Sequence, residues 1–397
     1  MSFRIGFLLN HDAAHQAAHS VPVALALAEH REHNIVILVT TRAEAAVAAD
    51  FLDADSNRLA HIEHLPVPAY LRLLDALTGR ALALKRVGLI WHYRRRLAKF
   101  DALVAAEKTS ALLKSWLGRA CPRLINIRHG AGDRACGNFG RKMSRFDLQL
   151  LPGRKYERLF LESAGPGDDA YAVTGYPKLE YYASKPRPRF FENDRPVVVY
   201  SPHFDPHRSS WYPWGQDILQ FFAASDDYNL IFAPHVLLFA RRWHLPGSGG
   251  RPRRTGNIPA NAKRADNILV DPGSKALLDM SYMRAADIYL GDVSSQVYEF
   301  LYRPRPCIFL NPGKASWQDN PRYLFWHCGR VVDDLAALPE ALLARARDDH
   351  EHYLPRQKQA FEDTFSITDE PASERSANAI LAYLRRTQPD AAAERAG

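Results

Sequence analysis

Two adjacent serines, Ser294 and Ser295, follow a glycine and an aspartate in the run DIYLGDVSSQVYEFL (Asp287–Leu301). An apolar strand ending at Gly291-Asp292, with a helix opening on the serines, would set two hydroxyls beside unpaired backbone N–H groups. That arrangement suits a diphosphate. One turn further along the same face, Glu299 offers a carboxylate to a pair of ribose hydroxyls. A plain serine cap followed by a surface glutamate has the same spacing. A second junction, INIRHGAGDRACG (Ile125–Gly137), puts His129 at a strand end, with Gly130, Gly132 and Gly137 able to bring backbone close to a ligand. A histidine there can deprotonate an attacking hydroxyl, or simply shape a turn.

A third group lies further along. NLIFAPHV (Asn229–Val236) ends a strand on His235, and VYSPHFDPHRSS (Val199–Ser210) ends another on His203, Asp205, His207 and Arg208. An imidazolium or guanidinium at such a place can neutralise a leaving phosphate. Trp211, Tyr212 and Trp214 can stack on a sugar or base, or pack the loop. His11, His15 and His19 recur every four residues and would share one face of a helix. That spacing suits zinc, but no fourth ligand accompanies it, so a substrate-facing loop is expected and no metal. No GxGxxG follows a strand, so an NAD site is not supported.

The elements that must hold these residues alternate from end to end. Strand candidates in the first half are Arg4–Asn10, Asn34–Thr40, His61–Val67, Leu124–His129, Asp147–Leu151 and Ala170–Gly175, with helical patterns at Val21–His30, Arg42–Phe51 and Leu103–Leu117. A second series of strands runs Val197–Ser201, Leu230–Pro234, Asn267–Asp271, Asp287–Gly291 and Cys307–Asn311. Apolar strands alternating with helices predict parallel sheets covered on both faces, hence two doubly wound α/β domains facing across a cleft. Tyr181–Pro196 (YYASKPRPRFFENDRP) has no helical or strand period and reads as a linker. The expected division is residues 1–182, a linker at 183–196, a second domain at 197–372, and a C-terminal helix and frayed tail at 373–397. Trp243–Arg264, rich in Pro, Gly and Arg, is expected to be a long mobile loop.

Composition narrows the partners. The chain has 397 residues, 47% hydrophobic and 24% charged, which excludes a collagen, a disulfide scaffold and a largely disordered chain. Lys+Arg 52 against Asp+Glu 44 leaves a net charge of +8, which favours anionic partners. The four cysteines form no CxxC pair, which argues against zinc ribbons and redox dithiols. There is no signal-peptide pattern and no apolar stretch near 18 residues, so a cytoplasmic protein is expected. Residues 76–100 carry seven basic and no acidic side chains among Leu82, Leu84, Val87, Leu89, Ile90, Trp91, Tyr93 and Leu97. Such a helix can lie on an anionic membrane, on the inner face of the plasma membrane, or pack its apolar side into the domain. No RNP, zinc-finger or helix-turn-helix signature supports the alternative of a nucleic-acid-binding module.

In this order, Arg128–Arg134 (RHGAGDR), Gly175–Glu180 (GYPKLE), Ala233–His235 (APH) and Gly291–Phe300 (GDVSSQVYEF) resemble the motifs of the CDP-glycerol glycerophosphotransferase family, the teichoic-acid polymerases and primases of GT-B fold. The resemblance covers Leu124 to Asn311. It departs from the family at Ala131-Gly132, Ala233, Glu180, Glu299 and His203. It implies a GT-B transferase with a nucleotide-diphosphate donor, a CDP-alcohol, and a lipid-linked or glycan acceptor of the cell envelope. Carried over, His129 would be the base for the acceptor hydroxyl and His235 would stabilise the donor diphosphate. Ser294 and Ser295 would bind its phosphates and Glu299 the ribose, with His203 and Gly130 at the nucleotide and His11 and Arg134 on the acceptor side. Neither metal nor cofactor is implied. A nucleotide-sugar glycosyltransferase and a UDP-GlcNAc 2-epimerase-like enzyme are the alternatives within the architecture.

Overall fold

The computed structural model describes residues 2–10, 16–52, 60–77, 84–128, 130–133, 145–164, 171–247, 249–343 and 345–387. They form two units: Met1–Gly130 with Gly137–Tyr181 and Asp363–Gly397, and Ala131–Cys136 with Tyr182–Glu362. Each is built on a parallel sheet, giving the two-domain, Rossmann-like GT-B architecture.

The first unit's strands are β1 (Arg4–Leu9), β2 (Asn34–Val39), β3 (Ala60–His64), β4 (Ala102–Ala105), β5 (Arg123–Ile127), β6 (Leu148–Leu151) and β7 (Tyr171–Val173), ordered β3-β2-β1-β4-β5-β6-β7. Runs such as RIGFLL and NIVILV are buried almost throughout, because helices cover both faces of a parallel sheet. Gly6 in β1 is needed for this packing: a Cβ there would meet Leu103 Cδ2 at 2.7 Å. β4 corrects the helical reading of Leu103–Leu117. ALVA is four apolar residues with no room for alternation, and a central strand of that length looks like the start of the helix at Leu112–Leu117.

The second unit's strands are β8 (Val197–Ser201), β9 (Asn229–Phe232), β10 (Trp243–His244), β11 (Arg253–Arg254), β12 (Ile268–Val270), β13 (Ile288–Gly291), β14 (Cys307–Leu310) and β15 (Arg330–Val332). Its main sheet runs β12-β9-β8-β13-β14-β15, all parallel, and β10 and β11 form an antiparallel hairpin. That hairpin, with the short helix Ala260–Arg264, replaces the expected loop. Thr255 is buried and its carbonyl accepts the Trp211 indole N–H at 2.5 Å, which ties the segment to the core. The residues read as a linker are also fixed. Arg284 Nη2 donates to the carbonyls of Lys185 and Pro186, and Arg187 pairs with Asp287 at 2.7 Å.

Helix Ala372–Thr387 packs on helix Ala17–Glu29 within the first unit. The GYPKLE segment anchors it. Gly175 has φ +89, and a Cβ there would also collide with Ala372 Cβ at 2.8 Å, while Glu180 accepts the backbone N–H of Ala372 at the helix start. Burial raises the Glu180 carboxyl above its usual range, and the Ala372 N–H and Arg375 oppose that shift.

Candidate functional site

In the second unit, β8 leads on to β9 on one side and β13 to β14 on the other, so the carboxyl ends of β8 and β13 mark the switch point at which such a sheet places its ligand crevice. His203 follows β8, His235 follows β9, and Asp292 to Ser295 follow β13. The Asp292 side chain, fully buried, gathers these loops. Its carboxylate accepts the N–H of His203 at 2.9 Å, the N–H and hydroxyl of Ser210 at 2.7 and 2.9 Å, and the N–H of Val293 at 2.6 Å. Burial pushes this carboxyl up to about 6, and the bonds from Ser210, Val293 and His203 pull against that rise. Sequence reasoning quoted Asp292 only as a strand end; the signal was a carboxylate between an apolar strand and two serines.

The two imidazoles lie 5.3 Å apart between ring centres, with Phe204 against both at 4.5 and 4.7 Å. His203 Nδ1 accepts the Asp205 N–H at 2.9 Å, and His235 Nδ1 accepts the Leu237 N–H at 3.2 Å. Each neutral ring is thereby assigned its proton on Nε2. Burial lowers His203 to about 3, aided by the charges of His235 and His244, and lowers His235 to about 4, aided by His244. The expected imidazolium is therefore a neutral N–H donor near pH 7. Arg208, also after β8, is half-buried, burial lowers it from the usual guanidinium range, and its Nη1 makes no hydrogen bond among the described residues.

These shifts predict acid lability. Between pH 4 and 6 the unfolded chain holds both imidazole protons, which the folded chain lacks, while the folded chain alone keeps the Asp292 proton. The lowered histidines make stability rise with pH and the raised aspartate opposes this, leaving one more proton on the unfolded side. The contribution of these three groups is expected to rise by about 1.4 kcal/mol per pH unit in that window and to level off above pH 6.5. Urea titrations at pH 4.5, 5.5 and 7 isolate it by comparison with the His203→Asn, His235→Asn variant, whose slope should be lower by about 2.7 kcal/mol per pH unit.

Ser295 stands directly before the helix Gln296–Phe300, and its hydroxyl makes no capping bond. Ser294 Oγ accepts the Gln296 N–H at 3.3 Å. Gln296 in turn accepts the Ser201 hydroxyl at 3.0 Å, which joins the end of β8 to this turn. Glu299 is buried, 5% exposed, so it is not the surface residue that a plain cap would carry. The segment after His129 docks here. A Cβ on Gly132 would lie 3.0 Å from Ser295 Cβ, and Asp133 accepts the Tyr298 hydroxyl at 2.6 Å and the Phe325 N–H at 3.1 Å. Gly132 thus serves close approach to protein, whereas a Cβ on Gly130 would meet open space.

In the first unit, β1 and β4 flank the corresponding switch point. Asn10, 3% exposed, ends β1 with neither carboxamide atom bonded among the described residues. Glu107, after β4, accepts Gln16 Nε2 at 2.8 Å and Arg86 Nη1 at 3.0 Å. Neither residue stood out in the sequence. His11, His15, His129, Arg134 and Gly137 lie outside the described residues. His19 is buried in helix Ala17–Glu29, edge-on to Tyr176 at 4.8 Å. Among the described residues, no group of three or more His, Cys, Asp or Glu side chains is placed to hold a metal.

The aromatic trio belongs to the core. Trp211 stacks on Phe232 at 5.2 Å, the Tyr212 hydroxyl donates to the Phe204 carbonyl at 2.9 Å, and Trp214 packs on the same cluster. The basic helix Leu84–Leu97 likewise buries Leu89, Ile90 and Leu97. Its Trp91 stays 47% exposed with Arg94 stacked on it at 3.7 Å, and the neighbouring helix Ala69–Leu77 exposes Tyr70, Leu73 and Leu74. No helix among the described residues is long and apolar enough to cross a membrane.

No protein-family model and no curated protein sequence matches the chain. Solved structures do. The wall teichoic acid polymerase TagF soaked with CDPG matches at TM-score 0.60 and 12% identity over 98% of this chain and 90% of that one. The S. aureus MnaA–UDP co-structure matches at TM-score 0.61 and 14% identity over 96% and 97%. UDP-GlcNAc 2-epimerase from Neisseria meningitidis bound to UDP-GlcNAc matches at TM-score 0.55 and 13% identity over 98% and 100%. At these identities the likeness is one of fold.

Proposed function

We propose that the chain is a transferase that uses a nucleotide-diphosphate donor, a CDP-alcohol such as CDP-glycerol, to modify or extend a cell-envelope glycan or lipid-linked acceptor. The observation that carries this reading is the set of hydrogen-bond donors that follow β8, β9 and β13 at the switch point of the second unit's sheet. There the Ser294 and Ser295 hydroxyls, two neutral imidazoles and the Arg208 guanidinium follow adjacent strands. A diphosphate needs such a set, and the fold is shared with a polymerase soaked with CDPG. His129 takes the proton of the acceptor hydroxyl, whose oxygen attacks the β-phosphorus. The bond to the bridging oxygen breaks and CMP leaves, held by Ser294, Ser295, His203 and His235, with Glu299 at its ribose. Gly130 leaves space beside the base, and His11 and Arg134 meet the acceptor. In this reading the electrostatic work falls to side-chain donors, and no metal or cofactor is required.

Thermal shifts with CDP-glycerol, CDP-ribitol, UDP-sugars and CMP-sugars test the donor, since stabilisation follows affinity by mass action. Ser294→Ala with Ser295→Ala should weaken the stabilising donor by about 1–3 kcal/mol, the scale of two hydrogen bonds to charged oxygens. Glu299→Ala should weaken ribonucleotides more than 2′-deoxy analogues. Unchanged donor affinity in the double serine variant would move the diphosphate elsewhere. The neighbours bound to UDP and UDP-GlcNAc favour a second reading, a UDP-GlcNAc 2-epimerase-like enzyme with Glu107 as the first unit's buried carboxylate. Conversion of UDP-GlcNAc to its C2 epimer, with CDP-alcohols inert, would replace the first reading by this one.

The acceptor side of the proposal places the protein on the inner face of the plasma membrane. The apolar side of helix Leu84–Leu97 is taken up by the core, so contact would rest on Trp91, Leu73 and Leu74 with Arg94 and Arg95. Arg96 already pairs with Glu63 at 2.6 Å. Each basic residue near the surface adds about 1 kcal/mol on anionic lipid. Anionic vesicles should sediment the protein at low salt and neutral ones should not, and replacing Arg94, Arg95 and Arg96 by Glu should abolish the difference. Sedimentation of that variant with anionic vesicles would remove this surface as the anchor.

A further inference from the structure

Beside β15, the edge strand of the second unit's sheet, lies a cavity of about 530 Å³ that the proposed transfer does not use. Its wall includes three aromatic side chains, Trp317, Trp326 and Tyr353, two guanidinium groups, Arg330 and Arg356, and the carboxylate of Asp333. The volume is that of a pocket for a ring compound of metabolite size. Trp317 is half-buried, edge-on to Trp326 at 6.1 Å and to His327 at 4.9 Å, and its indole N–H makes no hydrogen bond among the described residues. A half-open indole presents an apolar face with a polar tip, the surface on which a sugar ring packs, and Tyr353 lines the same cavity.

The charged groups narrow the ligand further. Arg356 is exposed and touches Gln359 at 3.2 Å, and Arg330 reaches the exposed Glu340 at 3.3 Å. Pairs of that kind are weak in water and exchange readily for a phosphate, whose oxygens match the guanidinium fork. Asp333 would repel a bare polyanion. It accepts the Asn311 amide at 2.6 Å and suits a ligand that brings hydroxyl donors along with its phosphate. Aromatic faces, two forks and one hydroxyl acceptor together describe a phosphorylated saccharide.

We propose that this cavity is a second ligand site of the chain, separate from the β8–β13 crevice, and that it takes a phosphorylated saccharide, either free or as a unit of a phosphate-bearing glycan. Trp326 borders both places. Its ring lines the cavity while its Nε1–H donates to the backbone carbonyl of Asp292 at 2.8 Å. Occupancy should therefore change tryptophan emission.

Titration of the full chain with glucose 1-phosphate, followed by tryptophan fluorescence and calorimetry, tests the site against glucose, inorganic phosphate and CMP. Saturable binding of glucose 1-phosphate is expected. It should weaken at least tenfold in Trp317→Ala and in Arg356→Ala, and be unchanged in the Ser294→Ala, Ser295→Ala double variant. Arg356 is exposed, so its variant tests the site even where loss of the indole disturbs folding. A phosphodiester-linked disaccharide binding tighter than glucose 1-phosphate points to the glycan, and equal affinity points to the free sugar phosphate. Inorganic phosphate binding as tightly, preference for CMP, or unaltered binding in both cavity variants would overturn the proposal. Loss of binding in the serine variant would assign the ligand to the crevice instead. The outcome is independent of the donor assignment, which is read from thermal shifts with nucleotides.

Discussion

His129→Ala should lower turnover by about two to four orders of magnitude, the contribution of a positioned general base. Donor affinity, measured by thermal shift or calorimetry with CDP-glycerol, should stay near that of the unaltered protein, because the base acts on the acceptor hydroxyl. A loss in kcat and kcat/KM together, at constant donor affinity, is the signature of an interaction made only in the transition state. The pH profile now discriminates as well. His203 and His235 are held near 3 and 4 by burial, so neither titrates between pH 6 and 8. Asp292, pushed up to about 6, titrates close by, so an acid limb of kcat/KM near pH 6.5 that persists in the His203→Asn, His235→Asn and Asp292→Asn variants would point to His129, and added imidazole should restore part of the rate to His129→Ala. Unchanged turnover in His129→Ala removes it from the mechanism.

The sequence shows the architecture because parallel strands buried on both faces need long apolar runs, and RIGFLL, NIVILV and VVVYS have no other soluble use. It hides β4 because ALVA runs on into the apolar pattern of the helix Leu112–Leu117, and β15 because RVV offers only two apolar residues. Nor does it show that Asp363–Gly397 belongs with the first unit, since that return depends on Gly175 and Glu180 meeting Ala372 from nearly two hundred residues away. At the candidate site, Ser294, Ser295, His203 and His235 were legible as polar residues directly after apolar strands. The charge state of the histidines was not, because desolvation is a property of the packed site. The aromatic trio stayed open between two readings for the same reason: tryptophans in a strand-end loop read alike whether they face a ligand or the core, and the packing decides it, with Trp211 3% exposed.

Asp292→Ala is the substitution expected to cost most in stability. Four donors converge on its buried carboxylate: the backbone N–H groups of His203, Ser210 and Val293 and the Ser210 hydroxyl. Alanine would strand three backbone donors out of reach of water, at about 1–3 kcal/mol each. The total of about 3–9 kcal/mol is comparable to the whole stability of many domains. Asparagine keeps the shape and one acceptor oxygen but turns an NH2 toward donors, so it should fall between alanine and the native residue. Five of the seven tryptophans, Trp211, Trp214, Trp243, Trp317 and Trp326, lie in the second unit, so their emission in urea reports the unit that contains the lesion. The midpoint for that signal should drop sharply, while a probe confined to the first unit should shift less. At temperatures where the asparagine variant stays folded, donor affinity should still fall, because the His203 and Ser294 loops lose a common tether. A tryptophan midpoint unchanged by alanine would mean that other contacts hold the β8 and β13 loops together, and donor binding would then have to be explained without Asp292.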